Sequence, residues 1–114
     1  RTDAYKLKLN PPVRDSGDLE NAEKITIAGP NGEVTKDSNC ILATRHIHAT
    51  KEDLEKYNLD ANKLYTVKVG GIKGGTFDNV NIKVKDTYVF EFHIDTDDAN
   101  AFMIKSGDEL EIIE

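Results

Sequence analysis

Turn-forming residues cut this 114-residue chain at intervals too short for long helices. The breaks are Asn10-Pro11-Pro12-Val13-Arg14-Asp15-Ser16-Gly17-Asp18, Gly29-Pro30-Asn31-Gly32, Gly70-Gly71, Gly74-Gly75 and Ser106-Gly107-Asp108. Pro11 and Pro12 each remove a backbone donor, and Ser16-Gly17 invites a turn. Gly29 to Gly32 is a strong hairpin signal. Between the breaks, short apolar or alternating runs predict strands over 4–9, 24–28, 33–36, 40–47, 64–69, 79–84, 88–94 and 109–113. Val80, Ile82 and Val84 fall on one strand face, and Val89, Glu91 and His93 on one face of the next, with Lys85-Asp86-Thr87 as the link. Thr50 followed by Asp53 resembles a capping box and predicts a helix over Lys51 to Tyr57. A second short helix, Asp97 to Ile104, is expected behind a Thr96 cap. About eight short strands and two short helices predict a mainly β fold, a small β-barrel with capping helices. Each helix is followed by a turn and a strand (Lys63 to Val69, Asp108 to Ile113), a repeat that suits a pseudo-symmetric barrel.

The chain is 38% apolar and 32% charged with eight aromatic residues and no Trp, enough for one domain with a modest core. Its net charge of −6 argues against a nucleic-acid partner, which needs a basic face. Residues 1–45 balance to zero, so the whole excess of acid lies downstream. No apolar run approaches the ~20 residues of a membrane span. The single cysteine, Cys40, excludes an internal disulfide framework and suits a reducing cytosol; it reads as a buried, inert thiol. The chain opens at Arg1 with neither Met nor an apolar leader, which reads as a fragment or processed product without a secretion signal.

The three histidines are the chemical signal. His46 and His48, two apart on an expected strand, leave from one face, with Cβ atoms about 6.5–7 Å apart by the strand rise. Two imidazoles at that spacing reach one metal. His93, flanked by Glu91 and Asp95, sits on another strand. Three neutral imidazoles with an open fourth position are what a catalytic zinc requires; surface histidines with no metal are the alternative. A cupin-like metal-binding barrel also competes, since His46-x-His48-x-x-x-Glu52 matches its ligand spacing. Against it, Glu52 falls in the first turn of the expected helix, where a carboxylate is favoured by the helix dipole. Asp95 to Asp98 lacks the glycine and terminal glutamate of a calcium loop and reads as a helix cap. The glycine pairs lack the Gly-Lys-Ser/Thr of a phosphate loop and read as a hairpin. No activated nucleophile is visible, so catalytic residues stay unassigned.

Three blocks carry a family resemblance. Arg45-His46-Ile47-His48, and Phe90-Glu91-Phe92-His93-Ile94-Asp95-Thr96-Asp97-Asp98-Ala99-Asn100, resemble the two signature blocks of the PduL-type phosphate propanoyltransferases (phosphotransacylases). The stretch from Arg1-Thr2-Asp3-Ala4 through Asp18 resembles a third. The resemblance implies the C-terminal portion of a two-barrel architecture with two zinc ions. Residues 1–43 would be the tail of the central β-barrel with its Pro-rich loop. Residues 44–114 would be most of a second β-barrel, which in the family also takes a strand from the far N-terminus. The implied reaction converts acyl-CoA (propanoyl-CoA or acetyl-CoA) and phosphate to acyl phosphate and CoA. By position, His46, His48 and His93 match the ligands of one zinc, Asn100 a contact to the CoA adenine end, and Ser16 and Lys83 the substrate pocket. Lys83 stands where arginine is usual, and Ala49 where methionine is usual. The other zinc's ligands and a phosphate-binding arginine lie upstream of Arg1 in the family. The implied partners are therefore acyl-CoA, phosphate, a missing N-terminal half of the same protein and a homo-oligomer. The implied location is cytoplasmic, with a bacterial microcompartment as one setting.

Overall fold

The structure, a computed structural model, describes residues 1–113, and the chain divides into two compact units on either side of the Thr44-Arg45 bond.

The first unit opens with α1 (Thr2–Lys6), where alternation predicted a strand over 4–9. Tyr5 and Leu7 are 79% and 63% exposed, so their alternation faces no core. With no partner sheet to reward it, the local helical choice wins: Asp3 lies in the first turn and Lys6 in the last, each complementing the helix dipole. The helix closes where Lys8 adopts a φ of 57° and the Leu9 N–H donates to the Ala4 carbonyl. β1 (Val13–Arg14) pairs in parallel with β4 (Leu42–Ala43). Between them stands the expected hairpin, β2 (Glu23–Gly29) and β3 (Gly32–Cys40), longer than its alternation suggested. Gly29 pairs with Gly32 across the Pro30-Asn31 turn, and the φ of 128° at Gly32 explains the glycine. The Thr26 and Thr35 hydroxyls bond across the ladder at 2.8 Å.

The expected strand over 40–47 is two strands. β4 belongs to the first unit, and β5 (His46–Ala49) opens the second. There follow α2 (Lys51–Tyr57), β6 (Tyr65–Val69), β7 (Gly75–Val84), β8 (Glu91–His93), α3 (Thr96–Phe102) and β9 (Glu111–Ile113). One mixed sheet in the order β8-β5-β7-β6-β9 carries the core, with β5 parallel to β7 and every other pairing antiparallel. Ile47, Val67 and Val80 are the largest fully buried side chains, each stabilising the fold by about 1.5–3 kcal/mol. Phe92, Phe102, Ile104, Leu110 and Ile112 pack against them. Gly75 is required by packing: a Cβ there would collide with the Phe102 ring. The fold is therefore mainly β with short helices, nine strands and three helices among the described residues.

Several boundaries move. β7 starts at Gly75 rather than 79, and β8 keeps only three of the seven residues over 88–94, leaving Val89 70% exposed. β7 and β8 are consecutive in the chain but not in the sheet; β5 lies between them. Asp95, not Thr96, caps α3 by accepting from the Asp98 N–H at 2.8 Å. α3 stops before Ile104 because Met103 turns left-handed, φ 60°.

The internal repeat is real and exact in register. Thr50 and Asp95 cap seven-residue helices 45 positions apart; Asn58 and Met103, both left-handed, end them at the same spacing. Matching bonds then close each helix, Leu59 N–H to Leu54 O and Ile104 N–H to Ala99 O, both 2.9 Å. The turns bond alike, Lys63 to Asp60 and Asp108 to Lys105, both 3.1 Å. β5 pairs with β8 as His46–His93, Ile47–Phe92 and His48–Glu91, so exchanging the halves leaves the pairing unchanged. The β6–β9 ladder behaves identically about Val67–Ile112. A local two-fold axis therefore passes through this unit. β7 stands beside β5 and β6; its counterpart would stand beside β8 and β9, the two ends of the sheet.

Candidate metal centre

Strand periodicity and register assemble the site. His46 and His48 alternate with the core residues Ile47 and Ala49, so the imidazoles leave from the opposite face. Across the antiparallel ladder His46 faces His93 and His48 faces Glu91; across the parallel one His46 faces Asn81 and His48 faces Lys83. The result is two rungs of three residues on one face: His93, His46, Asn81 and Glu91, His48, Lys83.

The rings of His46 and His48 lie 5.0 Å apart, His46 and His93 5.2 Å, and His48 and His93 3.9 Å. One ligand nitrogen from each falls within 4.8 Å of the other two. A point central to such a triangle is at most about 2.8 Å from each nitrogen, against ~2.0–2.1 Å for a zinc–imidazole bond. Small ring rotations close that gap, so the donor set fits a divalent, imidazole-preferring ion such as zinc. His46 is buried, while His48 stacks on Tyr88 with centroids 3.8 Å apart. Burial first, then the charges of His93 and His46, push the His48 pKa below the ordinary imidazole value; Lys83 acts the same way and Glu91 opposes. A depressed pKa keeps the ring neutral, the form that binds metal. The Glu91 carboxylate lies 2.9 Å from His93 Nε2.

Arg45, just before β5, reaches the N-terminal turn of α3. Its guanidinium makes a fork to both Asp98 oxygens, at 2.7 and 2.9 Å, and lies 5.0 Å over the Phe77 ring. Hydrogen bonding to Asp98 raises the arginine's already high pKa. The pair anchors β5 to the helix that follows β8, so the two strands bearing the histidines share one tie.

The structure thus brings together His46, His48, His93 and Lys83. Asn100 is exposed on α3 and lines an open groove of about 990 Å³ with Glu91, His93 and Thr96. Ser16 lies in the Asp15–Asp18 turn of the first unit. Glu52 occupies the first turn of α2, off the histidine strands, so the cupin-like ligand set is not assembled. Cys40 is half-buried at the end of β3. Sequence reasoning missed two features of the site. Tyr88 opens the strand expected over 88–94 but precedes β8, so strand alternation did not show its stack on His48, and the Arg45–Asp98 fork joins residues 53 positions apart.

Comparison with known proteins matches this chain to the sequence model of the family described as phosphate propanoyltransferase, over residues 1–105. It is 46% identical to a phosphate propanoyltransferase of Thermotoga maritima over the whole chain, which is 55% of that relative. It is 41% identical to one of Priestia megaterium over 95% of the chain and 50% of the relative. A third, from Clostridioides difficile, is 41% identical over 98% of the chain and 54% of the relative. The chain spans about half the length of the curated relatives it matches.

Proposed function

The chain belongs to the phosphate propanoyltransferase family, and from that premise we propose that it is the C-terminal portion of a zinc-dependent phosphate acyltransferase. The reaction joins acyl-CoA, with a propanoyl or acetyl group, and phosphate. A phosphate oxygen attacks the thioester carbonyl carbon, the new C–O bond forms, and the C–S bond breaks to release CoA as its thiolate. The single observation that carries a metal into this reading is the convergence of His46, His48 and His93.

Each residue has a role in the proposal. The three imidazoles would hold the zinc, which when bound would supply a Lewis acid for the charge that develops on the acyl oxygen. Three protein ligands leave a position for a reactant. Lys83, in register with His48, lends a cation beside that position; as a point charge it attracts phosphate without the bidentate fork of an arginine. Asn100 on the groove wall offers a donor and an acceptor to the adenine edge of CoA. Ser16, in the first unit, is assigned to substrate binding by the family resemblance alone. The thiolate is a good leaving group, so no covalent acyl-enzyme is required. The remaining machinery, including the second zinc and a phosphate-binding arginine, is assigned to a missing N-terminal half, within a two-barrel, homo-oligomeric enzyme. A cupin-like binding barrel is not favoured, because Glu52 does not join the histidines.

The test is metal analysis of the purified chain and of His93→Ala, with thiol release from propanoyl-CoA and phosphate measured in the presence of the N-terminal half. One zinc per chain at this site, lost in the variant together with turnover, is expected. Unchanged metal content in His93→Ala would defeat the assignment.

A further inference from the structure

Four side chains occupy the corners of the β5–β8 ladder face: His46 and His48 on one strand, Glu91 and His93 on the other. The local two-fold exchanges His48 with His93 and His46 with Glu91. Three corners are imidazoles, and the fourth is a carboxylate.

That carboxylate is not one of the converging ligand atoms; among the described residues, only the three histidines supply ligand atoms within 4.8 Å of one another. Instead Glu91 Oε1 lies 2.9 Å from His93 Nε2. A carboxylate oxygen accepts, so this contact suits a ring that donates from Nε2, and the neutral tautomer that does so has its lone pair on Nδ1. His93 also has the most need of such a hold. Its side chain is 38% exposed, on a three-residue strand at the end of the sheet. His46 is instead buried on an interior strand, and His48 is stacked on Tyr88. Glu91 sits on the same short strand as His93, so the pair moves together if that strand shifts.

We propose that Glu91 is a positioning residue for the metal centre: it fixes the Nε2–H tautomer of His93 and presents Nδ1 to the ion shared with His46 and His48. The inference rests on the metal reading above. It names a role for a residue outside the converging set of ligand atoms.

The experiment uses the metal-stripped 114-residue chain and its Glu91→Gln and Glu91→Ala variants, since a largely exposed side chain can be changed without loss of core. Long-range 15N correlation spectra of the metal-free proteins read the His93 tautomer, zinc titration reads affinity, and cobalt substitution reads coordination number. The wild type should show a single Nε2–H tautomer at His93. Glu91→Ala should give a tautomer mixture and about 10–100-fold weaker zinc binding. Glu91→Gln, which keeps an acceptor without the charge, should fall between. The cobalt spectrum should keep the same coordination number throughout. Equal zinc affinity and tautomer in all three proteins would overturn the proposal and leave the metal reading intact. So would a cobalt spectrum that loses a ligand in Glu91→Gln, since Glu91 would then be a ligand itself. If the wild type takes up no zinc, the metal reading falls first and this proposal with it.

Discussion

The behaviour of His48 follows from the groups around its ring: His46, His93, Lys83, Glu91 and the stacked Tyr88. Burial and the two histidines keep it neutral in the fold at pH values where the unfolded chain already takes a proton. The unfolded state therefore gains by protonation first. The stability contributed by neutral His48 is complete above the ordinary value of about 6.5 and is lost as pH falls through the lowered folded value. The urea midpoint of the metal-free chain should drop between pH 7 and pH 5, and drop less in His48→Gln. Identical pH profiles for the two proteins would refute the assignment. At this scale the sequence was most readable. The spacing of His46 and His48 announces a shared face because strand period is local. His93 joined them by residue type, its flanking acids and then the family resemblance, since a partner 45 residues away leaves no mark in periodicity.

Helices were legible where their signals are covalently close. Thr50 and Asp53 make the full capping box: Thr50 Oγ1 accepts from the Asp53 N–H at 3.1 Å, and an Asp53 oxygen accepts from the Thr50 N–H at 2.8 Å. The Thr50 backbone N–H, and then its hydroxyl, donating to the carboxylate depress the Asp53 pKa. Thr50→Ala should cost about 1 kcal/mol, read as a lower urea midpoint with an unchanged slope, and Thr50→Ser should recover most of it. A neutral Thr50→Ala would mean that packing of Leu54 alone holds α2. Strands were read less well. The run over 4–9 alternates as cleanly as 79–84, yet one is a helix and the other is central to the sheet, because alternation is rewarded only when another strand is present to cover it. Likewise nothing between residues 84 and 91 says that β5 will insert between their strands.

For the molecule as a whole, half of the relatives' length is the governing fact. The sheet of the second unit stops at β8 and β9, and unpaired strand edges are costly to leave exposed. The isolated 114-residue chain should bind zinc but form acyl phosphate at a small fraction of the complete enzyme's rate. Placement of both reactants is worth up to about 7–11 kcal/mol of barrier, and a single metal would hold one of them. Adding the N-terminal half in trans should restore turnover, measured as acyl phosphate formed per mole of chain. Full activity from the isolated chain would refute the division of labour. The mainly β class was legible from turn spacing. Strand order was not, since it depends on contacts between segments far apart in the chain.

The local two-fold also bears on how such a centre comes to be reactive. A perfectly duplicated half-unit would place the same residue at positions 46 and 91, and a histidine at both would offer a bound ion four nitrogens in two equivalent pairs. That is the saturated, inert geometry of a structural zinc. On the proposed metal reading, departure from symmetry at one corner would leave a coordination place vacant for chemistry. Restoring symmetry with Glu91→His should therefore trade reactivity for retention: slower zinc release to a chelator, and fewer exchangeable waters on the cobalt-substituted protein than in the wild type. Evolution of this site would then have proceeded by spoiling a copy, with imperfection in the repeat as the source of function.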